Sequence, residues 1–198
     1  MAQIKLTKSE LKWQKDALKR YYRYLPTLML KKQQLQVVMR QIERDRRAKL
    51  AQRDEVNLYL QGWISMFAEP VDLTQFVVIN EMRTTSANIA GIEVPVFEML
   101  TFKEPEYDLF MQPLWVDWAV EAMQKLLKFD LEVDILDKQY QLVSQELRTT
   151  SQRVNLFEKI KIPEAKEAIR RIQIYLGDEQ TAAVVRGKMA KKKLGQGE

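Results

Sequence analysis

LDKQYQLVSQELRTTSQRVNLF, residues 136–157, is the stretch whose spacing decides the fold. Its apolar or helix-tolerated positions fall on two interleaved series, Leu136, Val143, Thr150, Phe157 and Val133, Tyr140, Leu147, Val154. Alternating steps of three and four make the seam of a coiled coil. A seam needs a partner, and the other end of the chain supplies one. Leu11, Leu18, Leu25, Lys32 and Met39 interleave there with Gln14, Tyr21, Leu28, Leu35 and Ile42. Two seams flanking one middle region read most simply as a mainly α fold. The N- and C-terminal helices fold back on each other as a long antiparallel two-helix coiled coil, with a small β-hairpin insertion between them. A compact helical bundle would use the same apolar residues.

With 198 residues, 30% of them charged and 46% apolar, the chain suits a folded helical protein. It contains neither cysteine nor histidine. Disulfide and thiolate chemistry are thereby excluded, and the commonest general base and metal ligand are missing. Val56 to Ala68, the longest uncharged run, is too short to span a bilayer, and the amino terminus shows no signal-peptide pattern, so a cytoplasmic chain is expected. The net charge of +5 conceals segregation: residues 5–53 carry an excess of +11, residues 54–137 of −12, and residues 138–198 of +6. Basic arms and an acidic middle suggest different partners at the two ends of such a hairpin.

Three segments are expected: an N-terminal coiled-coil helix over 1–68, a β-containing insertion with an acidic loop over 69–114, and a C-terminal helix with a basic tail over 115–198. Thr7 or Ser9 caps the first helix, with Glu10 completing a capping box from Thr7. Pro26 interrupts the first helix, which would span on the order of 80 Å. The charged interval Glu43 to Arg53 reads as a solvated face or as a contact with something other than the second helix, and Glu69-Pro70 ends the helix. Phe76–Ile79 is a β-rich run, and Ile89, Ile92, Val94, Val96 and Phe97 form another around Gly91. The seven-residue step resumes beyond Pro163 as Ile162, Ile169, Leu176, Ala183, Ala190, so the second helix is expected to continue through the proline with its phase intact. Opposing positions should add to about 184 in an antiparallel pair. On that count everything from Ile174 onward projects beyond the first helix.

Chemical motifs are few. Gly187-Lys188-Met189 lacks the Ser or Thr of a phosphate-binding loop, and Ala182 stands where its first glycine belongs. Asp130, Glu132 and Asp134 alternate, but Ile135 occupies the position of a calcium loop's glycine. Glu104 and Glu106 are solvated loop acids rather than a catalytic pair, and no catalytic, cofactor or metal site is expected. Lys191–Lys193 and the run from Arg44 to Arg53 could bind phosphates, yet no nucleic-acid reading module accompanies them. A protein partner is favoured.

Three stretches together resemble one family. Leu28-Met-Leu-Lys-Lys-Gln-Gln-Leu35 is similar to its early L-L-K-x-K-R-D-x-L segment, with Gln33-Gln34 in place of the R-D pair. Asn88-Ile-Ala-Gly-Ile-Glu-Val-Pro95 looks like its N-V-x-G-V-x-V-P hairpin. Arg153-Val-Asn-Leu-Phe-Glu158 with Ile162-Pro163 is close to R-R-V-N-A-L-E followed by I-P, with Gln152 replacing the first arginine. The family is the D subunit, the central stalk of vacuolar-type and archaeal-type rotary ATPases, which bacteria also carry. The resemblance implies a non-catalytic rotor shaft without cofactors. Its terminal ends would enter a hexamer of A and B subunits. Its middle would meet the F subunit and the funnel subunit above the proteolipid ring, peripheral to the membrane. Exposure and charge then nominate hexamer contacts at Lys12, Lys15, Arg170, Arg171, Arg186 and Lys188, with Leu176 and Val185 as apolar anchors. Contacts with the other stalk subunits fall to Ile89, Ile92, Val94, Glu104 and Glu106. A generic coiled-coil scaffold is the alternative.

Overall fold

The computed structural model describes residues 5–62, 71, 73–104, 113 and 115–194. Along the chain come α1 (Lys8–Gln61), a single 3-10 turn at Leu73–Gln75, β1 (Ile79–Ile89), β2 (Ile92–Phe102), α2 (Val116–Asn155), a π-helical stretch (Leu156–Lys161) and α3 (Ile162–Leu194). The fold is mainly helical, with the N-terminal and C-terminal helices packed against each other and one two-stranded antiparallel sheet. The expected helix end at Glu69-Pro70 lies outside the described residues.

Thr7 caps α1: its Oγ1 accepts the Glu10 N–H at 3.2 Å. Glu10 accepts from Gln14 Nε2 at 2.9 Å, which ties the first turn to the second. Lys, Arg, Gln, Leu and Met dominate the helix, and these side chains lose little rotamer freedom in it. That preference carries α1 through Pro26, where the chain stays helical although the proline contributes no N–H.

Two compact units divide the chain: residues 1–32 with 149–198, and residues 33–148. In the first, Ala17 of α1 and Thr150, Val154, Ile162, Ala165, Ala168 and Ile172 of the returning helix are buried. Alanines at the contact let two helix backbones approach closely. Tyr21 and Phe157 stack with ring centroids 5.3 Å apart.

The phase of this seam does not pass Pro163 unchanged, contrary to expectation. Val154 and Ile162 are both buried although they lie eight residues apart rather than seven. The π-helical stretch absorbs the extra residue, because its turn is wider by about one residue than an α turn. Ile162 N–H donates to the Phe157 carbonyl, five residues back. The insertion rotates the helix after it and returns Ile162 and Ala165 to the seam. It also sits where the proline ring would crowd a regular α turn.

In the second unit Leu35 and Ile42 of α1, Val143 of α2 and Val94 of β2 form one buried cluster. Val38, Met39, Leu136, Tyr140 and Leu147 surround it. β1 and β2 pair antiparallel, with Ile89 opposite Ile92 and Ser86 opposite Pro95. The first β run differs from the expectation: only Ile79 of Phe76–Ile79 is in a strand, and β1 continues through the polar Asn80–Asn88. Ile89 closes β1, and β2 begins after Gly91. Ala90 and Gly91, with φ of 54° and 81°, make a two-residue turn of the kind that matches strand twist. Asn88 Oδ1 accepts the Gly91 N–H at 3.0 Å. Gln139 of α2 donates to the Pro95 carbonyl at 2.6 Å, which fixes β2 to the helix at a position that has no N–H of its own.

Candidate interaction surfaces

In the first unit, α3 runs on after its last buried residue, Ile172. From Gly177 through Lys193 every residue is exposed. Good helix formers, Glu179, Ala182, Ala183, Arg186 and Lys188 among them, keep this tip helical through Gly177 and Gly187, and the Thr181 hydroxyl donates to the Gly177 carbonyl at 3.0 Å. Lys12, Lys15, Arg170, Arg171, Arg186 and Lys188 are all exposed or partly so, Leu176 is half-buried and Val185 is exposed. Arg171 is held by Glu167 at 3.0 Å, a pair one helical turn apart on α3. Tyr175, Val184 and Met189 are further exposed apolar groups on the tip, and their positions carry no motif that marks them in the sequence.

A groove of about 440 Å³ lies beside the π-helical stretch, lined by Trp13, Tyr21, Pro163, Ala165, Ala168 and Arg171 among others. Trp13 is 56% exposed at its rim. It lies on neither heptad series, so a seam count passes over it. The π-helical insertion, which opens this side of the helix, leaves its sequence trace as the eight-residue step from Val154 to Ile162.

In the second unit the β-hairpin nominees divide. Ile89 and Ile92 are half-buried against the cluster, Val94 is buried at 1% exposure, and Glu104 is exposed. Glu106 lies outside the described residues. The outward surface of the hairpin is instead the polar middle of β1, with Met82, Arg83, Thr84, Thr85 and Ser86 toward solvent. A further groove of about 380 Å³ is lined by Val56, Tyr59, Trp118 and Ala122, with Glu55, Glu121 and Lys125 around it.

Three residues of the charged interval of α1 pair with α2, while Arg44, Asp45 and Arg47 are exposed, as a solvated face would have them. Arg46 Nε meets Asp137 at 2.6 Å, Lys49 pairs with the nearly buried Glu132, and Arg53 reaches Asp130 at 3.4 Å. In these three cross-helix pairs the cations are on α1 and the carboxylates on α2, and Arg53 also holds Asp54 of its own helix at 3.1 Å. A hydrogen bond to Asp54 raises the pKa of Arg53; desolvation opposes it, and the bond to Asp130 adds to it. Lys49 also lies 5.6 Å from the centroid of the Phe129 ring. Where the apolar seam fades, charge pairing takes over between the same two helices.

Among the described residues no group of three or more acidic side chains could hold a metal ion, and no helix is long and apolar enough to cross a membrane. What the surfaces offer is contact: an exposed basic helix tip with apolar groups, and a β-hairpin carried on a helix pair. Paired N- and C-terminal helices with a two-stranded sheet between them in the sequence place the chain in the mainly helical, coiled-coil class. The chain is a member of the ATP synthase D-subunit family, whose model matches residues 10–192. It is 46% identical over 194 residues to the D subunit of the V-type ATP synthase of Borreliella burgdorferi, covering 98% of this chain and 96% of that one. It is 34% identical over 198 residues to the corresponding V-type ATP synthase D subunit of Chlamydia felis, covering 98% and 95%. The counterpart from Chlamydia pneumoniae is 33% identical over 197 residues, covering 97% and 93%.

Proposed function

We propose that the chain is the non-catalytic central rotor shaft of a V/A-type ATPase or ATP synthase. It couples ATP hydrolysis or synthesis in a hexamer of A and B subunits to rotation of the membrane ring, and so to ion transport. The observation that carries this reading is the α3 tip: from Gly177 to Lys193 it remains helical with every residue exposed, carrying Arg186, Lys188 and Lys191–Lys193. A long exposed helix that ends in cations and apolar side chains gains stability by entering a partner's cavity. A single chain has no threefold symmetry, so it touches otherwise identical subunits differently, and its orientation then selects which conformation each one adopts. The β-hairpin unit meets the F subunit and the funnel subunit, and the assembly is peripheral to the membrane on its cytoplasmic side.

Native mass spectrometry of the tagged chain mixed with A and B subunits tests this, with and without residues 174–198. One copy per three A and three B, weakened by the truncation, is the expected result. No association with an intact hexamer overturns the shaft and leaves the scaffold alternative.

A further inference from the structure

The residues that bury α3 against α1 in the first unit continue into the tip without a cover. Ile162, Ile169 and Leu176 lead to Ala183, and Ala165 and Ile172 lead to Glu179 and Arg186, in unbroken seven-residue steps. At about 100° per residue, Leu176, Glu179, Ala182, Ala183, Arg186 and Met189 share one arc about 140° wide. Their order along the helix is close to a palindrome. Glu179 and Arg186 lie equally far from the midpoint between Ala182 and Ala183, and Leu176 and Met189 do so one turn further out. Met189 is 61% exposed, and neither Glu179 nor Arg186 makes an ion pair among the described residues.

We propose that this face of the α3 tip binds the same face of a second copy of the chain, antiparallel about a two-fold axis between Ala182 and Ala183. The charge pattern chooses both the partner and the direction. In antiparallel register Glu179 of each copy meets Arg186 of the other, so one contact is made twice, as an isologous interface requires. Leu176 of each copy packs on Met189 of the other, and the central alanines let the backbones close up. A parallel pair would set Glu179 on Glu179, Arg186 on Arg186 and the three terminal lysines on themselves. Antiparallel pairing sends the two lysine runs to opposite ends. A contact of about four helical turns buries less than the roughly 1,200 Å² of a stable complex, so the dimer forms reversibly and only as concentration rises. It shields Leu176 and Met189 of the unassembled chain and dissolves when a tighter partner claims them.

The full chain alone supplies the test, so the outcome is independent of whether A and B subunits bind. Sedimentation velocity at low salt should show a species of twice 23.4 kDa growing with concentration. Glu179→Arg alone and Arg186→Glu alone should each raise the dissociation constant roughly tenfold or more, because each sets two like-charge contacts in place of two ion pairs. A mixture of the two variants should dimerise again, as should the double variant E179R/R186E. The restored dimers also show that the single changes did not unfold the tip. The chain has no cysteine, so Leu176→Cys mixed with Met189→Cys should form a disulfide under mild oxidation, while neither variant alone should do so. A monomer at every concentration, a dimer indifferent to the charge reversals, or disulfides between identical positions would each overturn the proposal.

Discussion

In residues 1–32 with 149–198, the paired helix faces meet through Ala17, Ala165, Ala168 and Ile172 and through the Tyr21–Phe157 stack. In residues 33–148 they meet through Leu35, Ile42 and Val143, and then through Arg46, Lys49 and Arg53 against Asp137, Glu132 and Asp130. The ion pairs described in the first unit, Lys161–Glu164 and Arg171–Glu167, join neighbours along the same helix. Apolar packing rewards burial and is tolerant of a slide along the axis by one heptad. Cross-helix ion pairs are not tolerant of it: a slide moves each α1 cation away from its carboxylate. The second unit therefore fixes axial register electrostatically, whereas the first fixes it by shape, through the stacked rings and the π-helical insertion.

The contrast between the units breaks first at Leu35, which has no exposed surface. Leu35→Ala should cost about 3 kcal/mol, the loss of buried methyl groups plus the cavity they leave between α1, α2 and β2. Denaturant titration measures the total, and hydrogen exchange locates it. Exchange should rise through residues 33–148 and much less through residues 1–32 and 149–198. Equal acceleration throughout would make the two units one cooperative body.

A smaller effect separates charge pairing from packing. Glu132 is 11% exposed at its side chain and Lys49 is 36% exposed, so water screens one partner and hardly reaches the other. Glu132→Gln keeps the shape and removes the charge. It should cost about 1 kcal/mol after discounting for that screening. The cost should be nearly independent of salt if the burial of Glu132 governs it, and should vanish at high salt if the pair behaves as a surface contact.

Much of this is legible in the residues. The steps of Leu136, Val143 and Thr150 place α2, and the antiparallel count that sets opposing positions near a sum of 184 comes within a few residues of Arg46–Asp137, Lys49–Glu132 and Arg53–Asp130. The same count holds the ion-pair ladder unseen, because a charged position looks solvated until its partner on another helix is considered. β1 hides for a related reason: INEMRTTSAN is polar because most of that strand faces water, so alternation never develops. The eight-residue step from Val154 to Ile162 is in plain sight, but restarting the count at Ile162 smooths it over. Of the nominated contact residues, the outward position of the arginines and lysines follows from charge alone. The inward position of Val94 does not, since it depends on how β2 lies over Leu35 and Ile42.

The smallest effect is at the hairpin turn, and its sign is the informative part. Ala90 has φ of 54°, a region that an L residue with a Cβ enters at a cost of about 1–2 kcal/mol. Its methyl is partly buried against the cluster formed by Leu35, Ile42, Val94 and Val143, which returns less than the ~0.8 kcal/mol of a fully buried CH₂. Ala90→Gly relieves the strain and forfeits that contact, and it adds about 0.5–1 kcal/mol of unfolded-chain entropy that opposes folding. The terms nearly cancel, so the stability measured by denaturation should move by less than about 1 kcal/mol. A clear loss would mean that the methyl contact outweighs the strain, making the turn part of the second unit's core rather than a connector. A gain would mean that this unit tolerates a strained turn, and that Val94 in the cluster and the Gln139–Pro95 bond supply most of the hold of β2 on the helices.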